Sequence, residues 1–199
     1  MMGTLHGNLV LASASERRKE ILGTLELPFE VDASDVDETR EPDEPALEYV
    51  RRVATAKAMD VARRTPERTC VLGADTIVHT DTEVMGKPRD AADAHAMLTR
   101  LSGTWHSVTT AIALLRAPET VLEVVTHTTA VRFRELSVEE ITGYVDHDEG
   151  ADKAGGYAIQ GLGGGLVAEL RGSYHNVVGL PAGETLELLR RHGVLTRWP

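Results

Sequence analysis

The chain has 199 residues, with 21 Lys+Arg against 31 Asp+Glu, eight His and one Cys, and a formal charge of −10. That length, with 42% apolar and 26% charged residues, predicts one ordered α/β domain over residues 1–199 and excludes a wholly disordered chain. The acidic balance excludes a general phosphate-backbone binder, so no nucleic-acid partner is expected and any phosphate must be held locally. Cys70 has no second cysteine to pair with, Met1 to Asn8 lacks the basic-then-apolar order of a signal peptide, and no stretch reaches the ~18 apolar residues of a membrane span. A cytoplasmic location with no membrane partner is the expectation.

Leu9 to Ala12 reads as a short strand, followed by the hydroxyl-rich turn Ser13-Ala14-Ser15 and a helix, with Ser15 as its N-cap and Gly23 near its end. A second short strand is expected near Phe29 to Val31, then a polar loop from Asp35 to Pro42. Pro45, in a first helical turn, begins a longer helix with Leu47, Val50, Val53, Ala54 and Ala58 on one face. Thr69 to Ala74 and Ile77 to His79 are apolar, β-branched runs around Asp75-Thr76, and Gly86-Lys87-Pro88 makes a turn. Ala91 to Leu101 is helical by pattern. Trp105 to Leu115 and Val121 to Phe133 look like a hairpin of antiparallel strands, and Ser137 with Glu140 forms a capping box for a helix to about Val145. A glycine-rich stretch from Gly155 to Gly165, a strand near Leu166 to Leu170, a loop from Gly172 to Asn176 and a helix from about Ala182 to Arg191 complete the chain. The fold class is α/β, with a mixed sheet flanked by helices.

Common catalytic motifs are missing by spacing. Gly86-Lys87 is followed by Pro and is not a P-loop; Gly161, Gly163 and Leu166 miss the third glycine of a dinucleotide fingerprint. There is no Gly-x-Ser-x-Gly elbow and no His pair at i, i+4. The chemistry must run on hydroxyls, carboxylates, Lys and Arg.

Four groups of residues remain. Ser13, Ser15, Arg17, Arg18 and Lys19 lie where a strand meets a helix N-terminus, whose free N–H groups and dipole attract anions. Three cations in that first turn oppose the dipole, which points to an anionic ligand; a solvated basic turn is the plain alternative. Asp75 is a carboxylate inside an apolar run, which usually means a site or a paired base. Glu38, in the polar loop, can supply a second carboxylate, and hard cations such as Mg²⁺ take one or two carboxylates together with substrate phosphates. Lys57 and Lys87 are unremarkable alone. Gln160 closes the segment from Asp152 to Gly161, where glycines allow close backbone approach and an amide can read a base edge with one donor and one acceptor.

In order, Leu11-Ala12-Ser13-Ala14-Ser15-Glu16-Arg17-Arg18, Gly73-Ala74-Asp75-Thr76, Gly86-Lys87-Pro88, Leu101-Ser102-Gly103, the segment from Asp152 to Gly161 and the segment from Gly172 to Pro181 resemble the Maf-like nucleoside triphosphate pyrophosphatases over nearly the whole chain. Glu16 stands where that family usually has Pro, and Gly150-Ala151 replaces a commoner Pro-Leu. The resemblance implies a two-lobed fold similar to inosine triphosphate pyrophosphatases, with a central cleft, in a homodimer. It also implies cleavage of a nucleoside triphosphate to a monophosphate and pyrophosphate with a divalent metal, Mg²⁺ or Mn²⁺. By matching position, Asp75 is the implied proton acceptor and a metal contact, Glu38 assists it, and Ser13, Arg18, Lys57 and Lys87 hold phosphates. Arg17, Thr76 and Gln160 stand at the base-reading positions and look like the dTTP/UTP subgroup. The alternatives are 7-methyl-GTP as substrate, or a septum-formation regulator that binds nucleotide without needing turnover.

Overall fold

The computed structural model describes residues 3–198. Its strands are β1 (Thr4–Leu5), β2 (Leu9–Leu11), β3 (Glu30–Val31), β4 (Cys70–His79), β5 (Val84–Met85), β6 (Trp105–Arg116), β7 (Thr120–Phe133), β8 (Val167–Arg171) and β9 (Leu195–Arg197). The helices are α1 (Glu16–Thr24), α2 (Ala46–Ala62), α3 (Ala91–Leu101), α4 (Val138–Asp146), α5 (Tyr174–Val178) and α6 (Ala182–Arg191), with 3-10 turns at Ala154–Gly156 and Gly161–Leu166. Seven strands form one mixed sheet in the order β3-β2-β4-β6-β7-β8, with β5 also paired to β4; β1 and β9 make a separate ribbon. β2 runs parallel to both β3 and β4, in the register Leu9↔Cys70, Val10↔Val71, Leu11↔Leu72. β7 and β8 are antiparallel, with an irregularity at Arg132/Phe133. Among the described residues no helix is long and apolar enough to cross a membrane.

Contacts divide the chain into two compact units, each built from separated stretches. The first comprises the chain up to Asp75, Thr110–His127 and the chain from Gly179 onward. Its central contact is α2 on β4. Val50, Val53, Ala54, Lys57, Ala58, Val61 and Ala62 form the buried stripe of α2, at the spacing of one helical face. The stripe is small at its centre for a reason visible across the contact: a Cβ on Gly73 of β4 would lie 2.4 Å from the Ala54 carbonyl oxygen and 2.7 Å from the Ala58 Cβ. Only glycine lets the helix backbone come so close to the strand. On α6, Glu184 pairs with His127 at 2.6 Å, and Arg191 and His192 pair with Glu123 at 3.0 and 2.8 Å.

The second unit comprises Thr76–Thr109 and Thr128–Val178. Its core holds Val78, Leu98, Leu101, Val108, Val131, Phe133, Ile141, Tyr144 and Tyr157. Both of its longer helices start as their sequences dictate. Asp90 accepts from the Asp93 N–H at the start of α3, and the capping box of α4 is complete, with Glu140 N–H to Ser137 at 3.2 Å and Ser137 N–H to Glu140 at 2.8 Å.

Several local expectations shift. The two apolar runs flanking Asp75-Thr76 are one ten-residue strand, because Asp75 finds a cation inside the protein and needs no break to water. Ser15 occupies the N-cap of α1 without a side-chain bond; instead its own N–H donates to Ser13 Oγ at 3.2 Å. Pro45 is the residue preceding α2, and the polar stretch after Gly172 turns into α5. The reason lies in Asn176, fully buried, whose amide donates to the Val108 carbonyl and to Thr129 Oγ1, both at 2.9 Å.

Candidate active site

In the first unit, two clusters form around α1 and α2. Ser13, two residues past β2, is 5% exposed; its Oγ accepts from Arg18 Nη1 at 3.2 Å. Arg18 is on the first turn of α1, 9% exposed, and its Nε donates to the Gly179 carbonyl oxygen at 2.8 Å. Gly179 holds a φ of +128°, in the region that favours glycine. Burial pulls the Arg18 guanidinium below its ordinary pKa, opposed by the charges of Asp75 and Glu38. Those electrostatic couplings put the guanidinium in the field of both carboxylates. Arg17, next to it, is half-buried.

Lys57 is a lysine in the buried stripe of α2, a place where an unpaired ammonium would be costly. Its partners explain it: Nζ lies 2.8 Å from Asp75 Oδ1 and 2.8 Å from Glu38 Oε2. Asp75 is 6% exposed and Lys57 7%, while the Glu38 side chain, arriving from a loop, is 52% exposed. One ammonium therefore gathers two carboxylates whose sequence positions are 37 residues apart (75 − 38). The close approach at Gly73 is what sets this distance, since Lys57 is one residue from Ala58 and Asp75 two from Gly73.

Among the described residues no three His, Cys, Asp or Glu side chains gather at metal-binding spacing. Two carboxylates converging on one cation, one buried and one reaching from solvent, nevertheless suit Mg²⁺ or Mn²⁺. Such ions take only one or two protein carboxylates and complete their shell with water and phosphate oxygens. The donor set is all oxygen, and Glu38 and Asp75 fit the group.

In the second unit, Thr76 is half-buried on β4, Lys87 is exposed on the Gly86-Lys87-Pro88 turn, and Gln160 is half-buried just before a 3-10 turn. The Gly155 N–H donates to the Gly86 carbonyl at 3.0 Å, tying the Lys87 turn to the segment that ends at Gln160. Tyr157 anchors the same segment from beneath: its hydroxyl meets His106 Nε2 at 2.8 Å, and Phe133, His106 and Tyr157 pack edge to face. Burial lowers the His106 imidazole to about 4 and raises the Tyr157 phenol. Asp152 and Lys153 form an ion pair on the surface side.

Sequence reasoning gave no role to Gly73, Tyr49, Arg52 or Gly179. Gly73 and Gly179 lie in motif segments, and a glycine in a central strand or after a helix is itself a signal of close approach or positive φ. Tyr49 donates to the Glu38 carbonyl at 2.9 Å and shares a helical face with Val53 and Lys57.

An α/β fold with a buried carboxylate–lysine centre beside a hydroxyl and guanidinium at a helix start defines an anion-handling hydrolytic type of site. The chain belongs to the Maf family: a family model described as "Maf-like protein" matches residues 8–192. A Myxococcus xanthus (strain DK1622) protein called dTTP/UTP pyrophosphatase is 53% identical over 190 residues, covering 96% of this chain and 95% of its own. Proteins of the same description from Hahella chejuensis (strain KCTC 2396) and Escherichia coli (strain K12) are 49% and 48% identical over 188 residues, covering 94% of this chain and 92% and 94% of theirs. Among solved structures, a HAM1 protein from Coxiella burnetii aligns with 64% of this chain and 73% of its own, at 21% identity and a TM-score of 0.46.

Proposed function

We propose that this chain hydrolyses dTTP and UTP, and modified pyrimidine nucleoside triphosphates, to the monophosphate and pyrophosphate. The observation that carries the reading is the Lys57 ammonium shared by Asp75 and Glu38 at 2.8 Å each, beside buried Arg18. It is supported by relatives of that description at about half identity over nearly their full length.

In this reading a water oxygen attacks phosphorus, the bond between the α- and β-phosphates breaks, and pyrophosphate leaves. Asp75 takes the proton from the water at Oδ2, because Oδ1 is engaged by Lys57. Lys57 holds that carboxylate in place and offsets its charge, so the acid stays aimed although buried. Ser13, Arg18 and Lys87 bind phosphate oxygens and stabilise charge that builds on the leaving group, the main protein contribution in phosphoryl chemistry. Glu38 and Asp75 would hold a divalent cation, which would supply charge neutralisation on the phosphates. Arg17, Thr76 and Gln160 select the base. Amide and hydroxyl groups match the O2, N3–H and O4 edge that thymine and uracil share. A homodimer in the cytoplasm belongs to the same proposal.

Purified protein with Mg²⁺ or Mn²⁺ should release pyrophosphate from dTTP and UTP faster than from 7-methyl-GTP, and Asp75→Asn should abolish turnover while the protein stays folded. Faster turnover of 7-methyl-GTP would overturn the base assignment. No pyrophosphate from any of the three would overturn the enzyme reading.

A further inference from the structure

The loop that carries Glu38, residues 32–45, contains neither helix nor strand and is largely exposed. Residues of α2 tie it down on either side of Glu38. Tyr49 donates its hydroxyl to the Glu38 carbonyl at 2.9 Å. One turn on, Arg52 donates Nη2 to the Thr39 carbonyl at 3.0 Å and grips the Glu44 carboxylate with Nε and Nη2 at 2.7 and 2.8 Å. Its guanidinium also stands over the Tyr49 ring, 5.7 Å from the centroid. Glu44 closes the loop on itself, accepting from the Glu41 N–H at 3.2 Å, while its carbonyl accepts from Arg40 Nε at 2.9 Å. A turn beyond Arg52, Lys57 takes the Glu38 carboxylate. One helix therefore holds both the backbone and the side chain of residue 38.

We propose that Tyr49, supported by Arg52, is a positioning residue for Glu38, fixing the approach of that carboxylate to the divalent cation and setting metal affinity rather than the chemical step. The proposal rests on the reading of Glu38 as a metal ligand. A ligand on an exposed loop loses conformational freedom when it binds. Pinning two successive carbonyl oxygens, of residues 38 and 39, removes that freedom in advance and leaves the carboxylate oriented.

The test is a double-mutant cycle of Tyr49→Phe and Glu38→Gln. Mn²⁺ binding is measured by electron paramagnetic resonance in the presence of α,β-methylene-dTTP, with steady-state kinetics alongside. Tyr49→Phe keeps the ring under Arg52 and should raise the Mn²⁺ Kd about threefold to tenfold, the effect of one hydrogen bond. At saturating Mn²⁺, kcat should stay within about twofold of the parent. In the Glu38→Gln background the same substitution should change Mn²⁺ binding by less than about twofold. Arg52→Gln should follow the same pattern and serves if Tyr49→Phe lowers the melting temperature enough to blur the binding curve. An equal loss of Mn²⁺ affinity in both backgrounds overturns the proposal while sparing the metal role of Glu38, as does an unchanged Kd with a lowered kcat. If Glu38→Gln alone leaves the Mn²⁺ Kd unchanged, the metal reading falls, and the proposal with it.

Discussion

Replacing Gly73 by Ala tests the link between helix packing and the catalytic cluster, and two effects of opposite sign decide its outcome. Gly73 has no positive φ, so alanine fits its backbone and the substitution by itself should stabilise the protein by about 0.4–1 kcal/mol through a less flexible unfolded chain. Against this, the new methyl would sit 2.4 Å from the Ala54 carbonyl oxygen, 2.7 Å from the Ala58 Cβ and 2.8 Å from the Ala58 nitrogen. Carbon–carbon contacts are comfortable at about 3.5–4.0 Å, so α2 must withdraw by about 1 Å. Two of the three atoms are backbone and cannot swing aside. Overpacking of this kind costs about 1–3 kcal/mol, and the clash wins. A net loss of about 1.3 kcal/mol corresponds to a fall in melting temperature of about 3–5 °C for a chain of this size. Withdrawal of α2 also carries Lys57 away from Asp75, stretching a 2.8 Å pair beyond hydrogen-bond range. Turnover should therefore drop more than stability alone accounts for at a temperature where the variant is still folded. Thermal unfolding by circular dichroism and pyrophosphate release on the same sample measure both. Gly143→Ala in α4, where no atom lies within 4 Å of the added methyl, is the control and should raise stability by about 0.5–1 kcal/mol. A Gly73→Ala protein that melts with the parent and turns over at the parental rate would refute the claim that this helix–strand contact sets the Lys57–Asp75 distance.

Lys57→Met should destabilise by about 3–5 kcal/mol in urea unfolding, because it leaves the buried Asp75 carboxylate without its ammonium. A loss below about 1 kcal/mol would show that Arg18 alone compensates that charge. His106 is buried, and its folded pKa of about 4 lies below the usual value of 6.5. The unfolded chain then binds the extra proton first, so stability from this group is present above pH 6.5 and is lost as pH falls from 6.5 to 4, by about 3 kcal/mol in all. His106→Phe should flatten that part of the stability–pH curve, and an unchanged slope would mean that other groups produce it.

The sequence carried those features whose signal is local. The period of α3 and α6, the capping box at Ser137 and the two long strands between Trp105 and Phe133 are patterns of neighbouring residues, and they stand where that spacing puts them. The β1–β9 ribbon was not legible, since strands of two and three residues that pair from opposite ends of the chain have no periodicity to read. Asp75 reads in the sequence as a carboxylate inside an apolar run, which means a site or a paired base; Lys57 is there to meet it, and the runs on either side join into one strand. Of the candidate residues, Ser13, Arg17, Arg18, Glu38, Lys57 and Asp75 lie in the first unit, and Thr76, Lys87 and Gln160 in the second. Their supports did not announce themselves. Tyr49 and Arg52 belong to no motif, and only the spacing of residues 49, 53 and 57 on one helical face hinted that a side chain on α2 would reach the Glu38 loop. Asn176 was quoted within a motif as a loop polar residue, yet its amide is spent on the Val108 carbonyl and Thr129 deep in the protein.

The bond from Arg18 to the Gly179 carbonyl has a consequence for synthesis. The two residues are 161 positions apart, so on a ribosome adding about 5–20 residues per second the guanidinium waits roughly 8–30 s for its acceptor. During that interval Ser13, Arg18, Lys57 and Asp75 have all been made, but the helix start that would hold phosphate lacks the contact that seats its arginine. An early fragment of the chain therefore lacks the carbonyl that seats Arg18 until Gly179 has been made.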